Sequence, residues 1–346
     1  MNLLKKNIRL LSREELQNFL VAKGEKAFRA KQIEEWIWKK SATSFEQMTN
    51  LSHSLRVLLI ENFLFNPVQI KISQISTDGT IKFALNLYDH HIIEAVLIPT
   101  ETRMTACVSS QVGCSLSCSF CATGKMERIR NLDFPEIYDQ VVIVNRAAIE
   151  NYGIPLSNIV FMGMGEPLLN YSNVIAGIEK ITSPEGLNMS PKRITVSTAG
   201  IAKMIKKLGD DGVKFNLALS LHAANDEKRN RMMAINEHNN LSVLAEALKD
   251  FYQKTENRIT YEYCVFKNYN DSLQDAAELA QFCKHVPCKV NLIEYNQIEG
   301  GDFANADTDK LDAFKKFLEN KNIITNMRRS RGKDIDAACG QLANKH

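Results

Sequence analysis

The sequence predicts an α/β protein built on a partial, open (β/α)6 barrel, preceded by a small helical domain. Two observations predict this class: six strand-like segments alternate with helical segments after residue 104, and the polar or glycine-rich residues fall where those strands end. Strands joined in this way run parallel and need helices over the sheet. Six units are fewer than the eight of a complete barrel, so an open barrel is favoured, with a doubly wound open sheet as the alternative.

The first 66 residues predict the helical domain. Ser12 and Glu15 stand at the spacing of a capping box, in which two side chains satisfy the free amides at a helix start. Further helices are predicted over Ala27–Lys40 and Ser54–Glu61.

Residues 67–103 predict a connecting antiparallel element. Its strands cover Val68–Ser73, Ile81–Leu87 and Ile92–Ile98, and Asp78-Gly79 supplies the turn between the first two.

Residues 104–346 form the predicted barrel domain. The strands are Met104–Ser109, Asn158–Met162, Arg193–Ser197, Lys214–Leu221, Arg258–Phe266 and Lys289–Tyr295. The helices that fill the intervals include Asp133–Glu150, Ser242–Lys254, Leu273–Cys283 and Asp309–Glu319.

The most informative motif is a run of three cysteines, Cys114, Cys118 and Cys121, in the spacing C-x3-C-x2-C. Three thiolates at this spacing suit three corners of a cubane iron–sulfur cluster and leave one iron without a protein ligand. An open iron can bind and reduce a small molecule. A closed zinc site is the alternative, but it needs four ligands, usually as two separated pairs.

Other polar residues are predicted at the carboxyl ends of the same strands, the edge where barrels place their sites. Each alone has an ordinary explanation, such as a tight turn for Gly163 to Gly165, a helix cap for a serine or a structural role for a histidine. Together they predict one binding site, formed by Gly165, Glu166, Ser197, Ser220, Leu221, His222 and Asn296.

A further cysteine, Cys339, stands near the C-terminus before Gly340. The glycine would leave the thiol exposed, and Arg328, Arg329 and Arg331 lie close in sequence. An inert buried cysteine beside an ordinary basic loop is the alternative. Cys107 precedes the cysteine run and could pair with Cys339, whereas Cys264, Cys283 and Cys288 lie in apolar segments that predict core positions.

The net charge and composition of the chain exclude few classes of protein. The net charge of +3 over 346 residues gives no electrostatic indication of a nucleic-acid partner. The charged N-terminus differs from a signal peptide and no apolar run approaches membrane-spanning length, so we expect a cytoplasmic protein without membrane contact, with reduced cysteines.

The cysteine motif, with the aromatic Phe120 before its last cysteine, resembles the radical S-adenosylmethionine (SAM) superfamily. Three further segments resemble the RlmN-type adenine C2-methyltransferases, namely Cys107–Cys114, Gly163–Asn170 and Asp334–Gln341, and the likeness extends to Gly24–Gln32. The resemblance implies a radical-SAM barrel with one [4Fe-4S] cluster on Cys114, Cys118 and Cys121, and SAM on the open iron. It also implies that Gly165, Glu166, Ser197, Ser220, Leu221, His222 and Asn296 contact SAM.

The resemblance implies methylation at C2 of adenosine 2503 in 23S rRNA and of adenosine 37 in certain tRNAs. That carbon is electron-poor and cannot attack a methyl sulfonium, which favours a radical route. In the family mechanism Cys339 takes a methyl group from one SAM, and a radical from a second SAM removes hydrogen from it. The methylene radical then adds to C2, Glu94 accepts the C2 proton, and Cys107 attacks Cys339 to release the RNA and leave a disulfide.

Flavodoxin or ferredoxin is the expected electron donor, and a monomer is the expected state. The alternatives are the Cfr-type reaction at C8 of the same rRNA adenosine, and a non-catalytic iron–sulfur protein that regulates by binding RNA.

Two basic groups are candidate RNA contacts. One surrounds Trp36 and Trp38 on the second predicted helix, where cations beside aromatic rings suit phosphates and stacked bases; it comprises Lys23, Lys26, Arg29, Lys31, Lys39 and Lys40. The other, favoured for its closeness to Cys339, comprises Arg328, Arg329 and Arg331.

Overall fold

A ten-stranded sheet forms the centre of the protein, whose computed structural model describes residues 5–345. The strands are β1 (Lys6–Asn7), β2 (Phe63–Leu64), β3 (Gln69–Ile75), β4 (Ile81–Asn86), β5 (Ile92–Pro99), β6 (Met104–Cys107), β7 (Gln111–Val112), β8 (Arg130–Asn131), β9 (Asn158–Phe161), β10 (Ile194–Thr198), β11 (Asn216–Ser220), β12 (Ile259–Val265), β13 (Cys288–Glu294) and β14 (Thr325–Arg328). The helices are α1 (Arg13–Ala22), α2 (Arg29–Glu34), α3 (His53–Asn62), α4 (Phe134–Tyr152), α5 (Tyr171–Thr182), α6 (Ala202–Asp210), α7 (Asp226–Met232), α8 (Leu241–Thr255), α9 (Leu273–Phe282) and α10 (Thr308–Glu319).

The parallel part of the sheet contains β6 and β9 to β14, which neighbour one another in chain order. All six predicted strands are confirmed, as are the four predicted helices, which are α4, α8, α9 and α10. Strand β14 was missed because it is short and only Thr325 in it is buried. A doubly wound sheet reverses its strand order at a switch point. The sequential order here therefore favours the barrel and excludes the doubly wound alternative.

The antiparallel strands β3, β4 and β5 extend the same sheet, because β5 pairs with β6. The sequence predicted these strands and their turn but not their place in the main sheet. The turn forms as predicted: the Ser76 amide donates to the Thr80 carbonyl at 2.8 Å, and Gly79 adopts a φ of +85°.

The sheet curls so that its two halves face each other. Arg328, at the end of β14, contacts the Met162 sulfur beyond β9 at 3.6 Å. Ile98 on β5, Cys107 on β6 and Ile293 on β13 line one cavity. This curvature makes the sheet an open barrel whose interior lies between distant strands.

The N-terminal helical domain packs against the barrel. Helix α1 begins with the predicted capping box of Ser12 and Glu15. The second predicted helix begins at Arg29 and continues as a π-helix over Glu35–Lys39. Trp38 there is buried, with its ring centroid 5.6 Å from Phe134 and 5.2 Å from Tyr138 of α4. This packing fixes the domain to the outer layer of the barrel.

The segment after β14 crosses from one edge of the sheet to the other. The Gly332 amide donates to Asp78 at 2.9 Å, and the Thr77 amide donates to Asp334 at 3.1 Å. Further along, the Thr123 hydroxyl donates to the Leu342 carbonyl at 2.6 Å. These bonds hold the residues between 332 and 342, including Cys339, over the carboxyl ends of the strands.

The predicted domains began at residue 1 and ended at residue 346, and residues 1–4 and 346 lie outside the described range. Within residues 5–345, no helix is both long and apolar enough to cross a membrane.

Candidate active site

A cavity opens at the carboxyl ends of the parallel strands, where the sequence predicted a site. Most of the predicted site residues line it, and these are Cys114, Cys118, Cys121, Gly165, Glu166, Ser197, Ser220, His222 and Cys339. They come from the ends of three strands, β9, β10 and β11, from the cysteine loop and from the C-terminal segment, so only the folded barrel brings them together.

The cysteine loop contributes three half-buried thiols, and no disulfide involves them. The Ser119 amide donates to the Met232 carbonyl at 3.1 Å, which ties the loop to the end of α7. Gly124 packs so closely on the loop that a side chain there would begin 2.7 Å from the Cys118 carbonyl oxygen. The loop backbone is therefore held firmly while its thiols face the cavity.

The loop thiols also interact with one another. Burial raises the pKa of Cys114 to about 11 and raises the pKa of Cys118 further, and the neighbouring loop cysteines add to both shifts. The part of the chain described here contains no group of three His, Cys, Asp or Glu side chains in metal-binding geometry. Three adjacent thiols facing one cavity are nevertheless the donor set that an iron–sulfur cluster requires.

A glycine turn brings Glu166 into the cavity. Gly165 has a φ of +92°, and a Cβ there would stand 2.4 Å from the Cβ of Gln111. Only glycine fits this backbone and this close approach. Gln111 also accepts from the Glu166 amide at 2.8 Å, which fixes the direction of the turn.

The Glu166 carboxylate is buried and held by backbone amides. Oε1 accepts from the Leu168 amide at 3.0 Å, and Oε2 accepts from the Ala199 amide at 2.7 Å. Burial raises the pKa of this carboxyl, against the lowering effect of its hydrogen bonds. No cationic side chain within residues 5–345 makes an ion pair with it, so a positively charged ligand group would find a prepared partner here.

The ends of β10 and β11 supply small hydroxyl groups and a histidine. The Ser197 and Ser220 hydroxyl oxygens lie 3.3 Å apart. Leu221 is fully buried beside them and does not line the cavity. His222 has a φ of +57°, and its Nδ1 accepts from the Cys264 amide at 3.0 Å.

The His222 ring is neutral. Burial, aided by the charge of Arg229, lowers its pKa to about 3. Because Nδ1 accepts a hydrogen bond, the ring proton resides on Nε2. His222 therefore offers a neutral donor rather than an acid at ordinary pH.

Asn296 holds the C-terminal segment. Its Nδ2 donates to the Cys339 carbonyl at 3.1 Å, while its buried Oδ1 has no hydrogen-bond partner among the described residues. A buried amide oxygen without a donor is costly and is suited to accept from a ligand. Asn296 borders the cavity through Cys339 rather than lining it directly.

Cys339 lies between two cavities. It is exposed and lines both the cavity of the cysteine loop and a smaller neighbouring cavity. Cys107 lines the smaller one, so the structure brings together the two cysteines that sequence alone could not place. Burial raises the pKa of Cys107 to about 12, with a smaller contribution from Cys339 that Arg328 opposes.

Glu94 lines neither cavity. It is completely buried on β5, where Lys82 approaches one carboxylate oxygen at 3.4 Å. The other oxygen accepts from the amides of Ala343 at 2.8 Å and Asn344 at 3.1 Å. In this arrangement Glu94 anchors the C-terminal segment, and its role as proton acceptor stays a prediction.

The candidate RNA-contacting residues differ in how exposed their side chains are. Trp38 is buried, whereas Trp36 remains partly exposed with the Lys40 ammonium 3.9 Å from its ring centroid. Arg328 points into the cavity and pairs with Glu262 at 3.1 Å, so it does not face outward toward a phosphate. Arg329 is exposed.

Sequence reasoning missed several residues of the site. Cys264 was assigned to the core and is buried, yet it also lines the main cavity. Cys288, also assigned to the core, is only half-buried at the opposite end of the sheet. Glu262 and Arg229 carry no sequence signal, since one lies in an apolar strand and the other in a wholly polar stretch before Met232.

Two known protein families match this chain, one near its N-terminus and one in the barrel. Residues 6–64 match the family described as the ribosomal RNA large subunit methyltransferase N-terminal domain. Residues 108–280 match the radical SAM superfamily.

Individual relatives match over nearly the full length. A probable dual-specificity RNA methyltransferase RlmN from Cytophaga hutchinsonii is 64% identical over 341 residues, which cover 99% of this chain and 93% of that protein. The dual-specificity RNA methyltransferase RlmN from Geobacter sulfurreducens is 43% identical, covering 98% of this chain and 92% of its own. Among solved structures, a radical SAM methyltransferase from Sphaerobacter thermophilus superimposes with a TM-score of 0.93 at 37% identity, covering 98% of this chain and 100% of its own.

Proposed function

This chain belongs to the RlmN family of radical SAM RNA methyltransferases, and we propose that it methylates C2 of adenosine in 23S rRNA and in certain tRNAs. An RNA substrate is supported by the names of the relatives, which are dual-specificity RNA methyltransferases, and a ribosomal RNA substrate by the family that residues 6–64 match. The chemistry is supported by residues of this chain.

The observation that carries the proposal is the position of Cys339 between the cysteine-loop cavity and the cavity of Cys107. An exposed thiolate in the first cavity can attack the methyl group of SAM, forming an S–CH3 bond and releasing S-adenosylhomocysteine. On its other side, Cys339 faces the smaller cavity that Cys107 also lines. A regulator that only bound RNA would have no use for this paired arrangement.

In this proposal the three loop cysteines hold a [4Fe-4S] cluster and leave one iron open. When bound, such a cluster supplies the electron that splits the sulfonium of a second SAM. Glu166 takes the amino group of SAM, because it is a buried carboxylate with which no cation of the described chain pairs. His222 donates from Nε2, and the unpaired Oδ1 of Asn296 accepts.

Turnover then depends on Cys107. Before Cys107 acts, the RNA adduct has to lose one electron, which the oxidised cluster would take back, and the C2 proton. Cys107 then attacks the Cys339 sulfur, the S–CH2 bond breaks, and the CH2 group takes up a proton to become the methyl group of the RNA. This leaves a Cys107–Cys339 disulfide, which a dithiol reductant must return to two thiols.

We propose Glu94 as the acceptor of the C2 proton. Because Glu94 now holds the amides of Ala343 and Asn344, this role requires the C-terminal segment to shift when RNA enters.

We propose ribosomal and transfer RNA as the substrates and a flavodoxin or ferredoxin as the electron donor. Because these molecules occur in the cytoplasm, the proposed enzyme is cytoplasmic.

The experiment that tests the proposal is Cys107→Ala in the anaerobically loaded protein. Without the resolving thiol, the RNA stays bonded to Cys339, so a covalent protein–RNA adduct should accumulate to about one RNA per protein. The matched control is Cys283→Ala, a buried cysteine away from both cavities, which should turn over without an adduct.

Two results would contradict the proposal. The first is a Cys107→Ala protein that binds RNA without forming an adduct, as a regulator would. The second is a wild-type product that carries its methyl group on C8 instead of C2, which mass spectrometry of digested RNA distinguishes.

A further inference from the structure

Arg229 on α7 is completely buried beneath the candidate active site. Its Nε donates to the Leu221 carbonyl at 3.1 Å. Its Nη2 donates to the Ala199 carbonyl at 2.6 Å and to the Ser220 carbonyl at 3.4 Å. One guanidinium therefore joins the backbone ends of β10 and β11, where the SAM contacts are proposed.

The charge of Arg229 has no carboxylate against it in residues 5–345. Its remaining polar contact is the Asn236 amide oxygen, to which Nη1 donates at 2.6 Å. Asn236 in turn donates to Asp226 at 2.9 Å, so the nearest acid on α7 acts through a neutral amide. Buried charges are normally paired directly, because leaving water is costly for an ion.

Besides Asp226, the cysteine loop is a source of negative charge near Arg229. Burial lowers the pKa of Arg229 to about 10, while the charges of Cys118 and of Asp226 both favour the charged form of the arginine. The hydrogen bond from the Ser119 amide to Met232 ties the residue after Cys118 to the last residue of the same helix. Helix α7 thus connects the cysteine loop to the ends of β10 and β11.

The same network reaches Glu166. Ala199 accepts from Arg229 through its carbonyl and donates through its amide to the Glu166 carboxylate. A shift of the Ala199 peptide would therefore disturb the carboxylate that receives the SAM amino group. This connection couples the arginine to SAM without direct contact.

We propose that Arg229 is a positioning residue with two separable effects on the active site. Its charge stabilises the negative charge that the loaded cysteine loop carries, and its hydrogen bonds hold Ala199, Ser220 and Leu221 in place for SAM. The inference rests on the proposed function, since it requires a cluster on the cysteine loop.

Two substitutions separate the charge from the geometry. Arg229→Met removes the charge at similar length, so the midpoint potential of the cluster should become more negative and SAM affinity should fall. Arg229→Lys keeps the charge but cannot reach three carbonyls at once. It should retain the wild-type potential and weaken SAM binding by about tenfold, the loss expected for one charge-assisted hydrogen bond.

The measurements use anaerobically loaded protein with matched iron and sulfide content. A redox titration followed by electron paramagnetic resonance gives the midpoint potential, and equilibrium dialysis gives the SAM dissociation constant. The control is Arg231→Met on the same helix, where the arginine is exposed and pairs with Glu227. That variant should change neither quantity.

Each outcome decides a specific claim. Equal potentials in wild type and Arg229→Met overturn the charge effect, and an unchanged SAM dissociation constant in Arg229→Lys overturns the positioning effect. If Arg229→Met does not fold, the Lys variant still decides the second claim. Arg229→Gln, which removes the charge but keeps amide donors, then decides the first through the same midpoint potential. A wild-type protein that holds no cluster overturns the proposed function and this inference with it.

Discussion

Replacing Glu166 by glutamine should weaken SAM binding while leaving the cavity otherwise intact. The carboxylate lies at the cavity wall, buried and held by the amides of Leu168 and Ala199, and no cation among residues 5–345 pairs with it. In the SAM complex the ligand amino group would supply the missing positive charge. Glutamine has nearly the same shape but cannot provide the opposite charge.

The expected loss follows from the kind of contact removed. A hydrogen bond to a charged group contributes about 1.5–3 kcal/mol, which corresponds to about a 10- to 150-fold increase in the SAM dissociation constant. The free energy of unfolding should change by only about 1 kcal/mol. Glutamine loses one amide hydrogen bond, but the folded protein no longer buries an unpaired charge.

The assay is equilibrium dialysis of SAM against anaerobically loaded protein with a verified iron content. Glu127→Gln is the matched control, because Glu127 is an exposed carboxylate in the segment after Cys121. A second ligand, 5′-deoxyadenosine, lacks the amino acid part and should bind wild type and Glu166→Gln equally. If both ligands weaken together, the substitution has distorted the cavity and the charge argument is refuted; unchanged SAM affinity refutes it directly.

Two further predictions concern the stability of the unloaded protein. The pKa of buried His222 lies near 3 rather than 6.5, so the unfolded chain gains a proton that the folded protein excludes and stability falls as the pH falls. Asparagine tolerates the φ of +57° at position 222. In urea unfolding, the free energy of unfolding of wild type should fall by about 1.3 kcal/mol more between pH 7 and about pH 5.5 than that of His222→Asn. His238→Asn, at an exposed site, is the control and should show the same pH dependence as wild type. Gly165→Ala should destabilise the protein by about 1–3 kcal/mol more than Gly24→Ala, because both glycines have positive φ but only Gly165 has no space for a Cβ. Equal losses in the two glycine variants would show that backbone strain alone matters.

The parts of the fold that sequence predicts are those with strong local patterns. Apolar segments such as Arg258–Phe266 are bounded by turn residues, so their strands could be placed directly. Strand β14 lacks such a pattern because it pairs along one edge only and leaves most of its side chains partly or fully exposed. Strands β3 to β5 join the main sheet through the pairing of Val96 with Cys107. No local sequence pattern encodes this contact.

The residues of the candidate site likewise fall into those that the sequence could predict and those that it could not. Strand ends and cysteine spacing predicted most of its lining, because parallel strands bring their carboxyl ends to one edge. The supporting residues could not be predicted. Arg229 lies in the polar run Asp226-Glu-Lys-Arg-Asn-Arg, where nothing distinguishes the buried arginine from exposed Arg231. Burial of a charged residue is decided by distant carbonyl groups, and these meet only in the folded chain.

The burial of Cys107 gives a physical reason why, in the proposed function, Cys339 rather than Cys107 takes the methyl group. Its pKa of about 12, against the ordinary 9.0, leaves about a thousandfold less thiolate at neutral pH than an ordinary cysteine would have. Cys339 is exposed and faces the cavity proposed for SAM. Cys107 therefore stays largely a thiol while, in the proposed function, Cys339 takes the methyl group.

Alkylation of the reduced protein by iodoacetamide near pH 7.5, read by peptide mass spectrometry, tests this difference. Cys107 should react far more slowly than Cys339 in the folded protein, because Cys107 is buried and its pKa is raised, and the two should react at similar rates in urea. Cys283, which is also buried, serves as the internal control for general protection by the fold. Comparable rates for Cys107 and Cys339 in the folded protein would mean that burial does not set the order of the two thiols, and another group would have to do so.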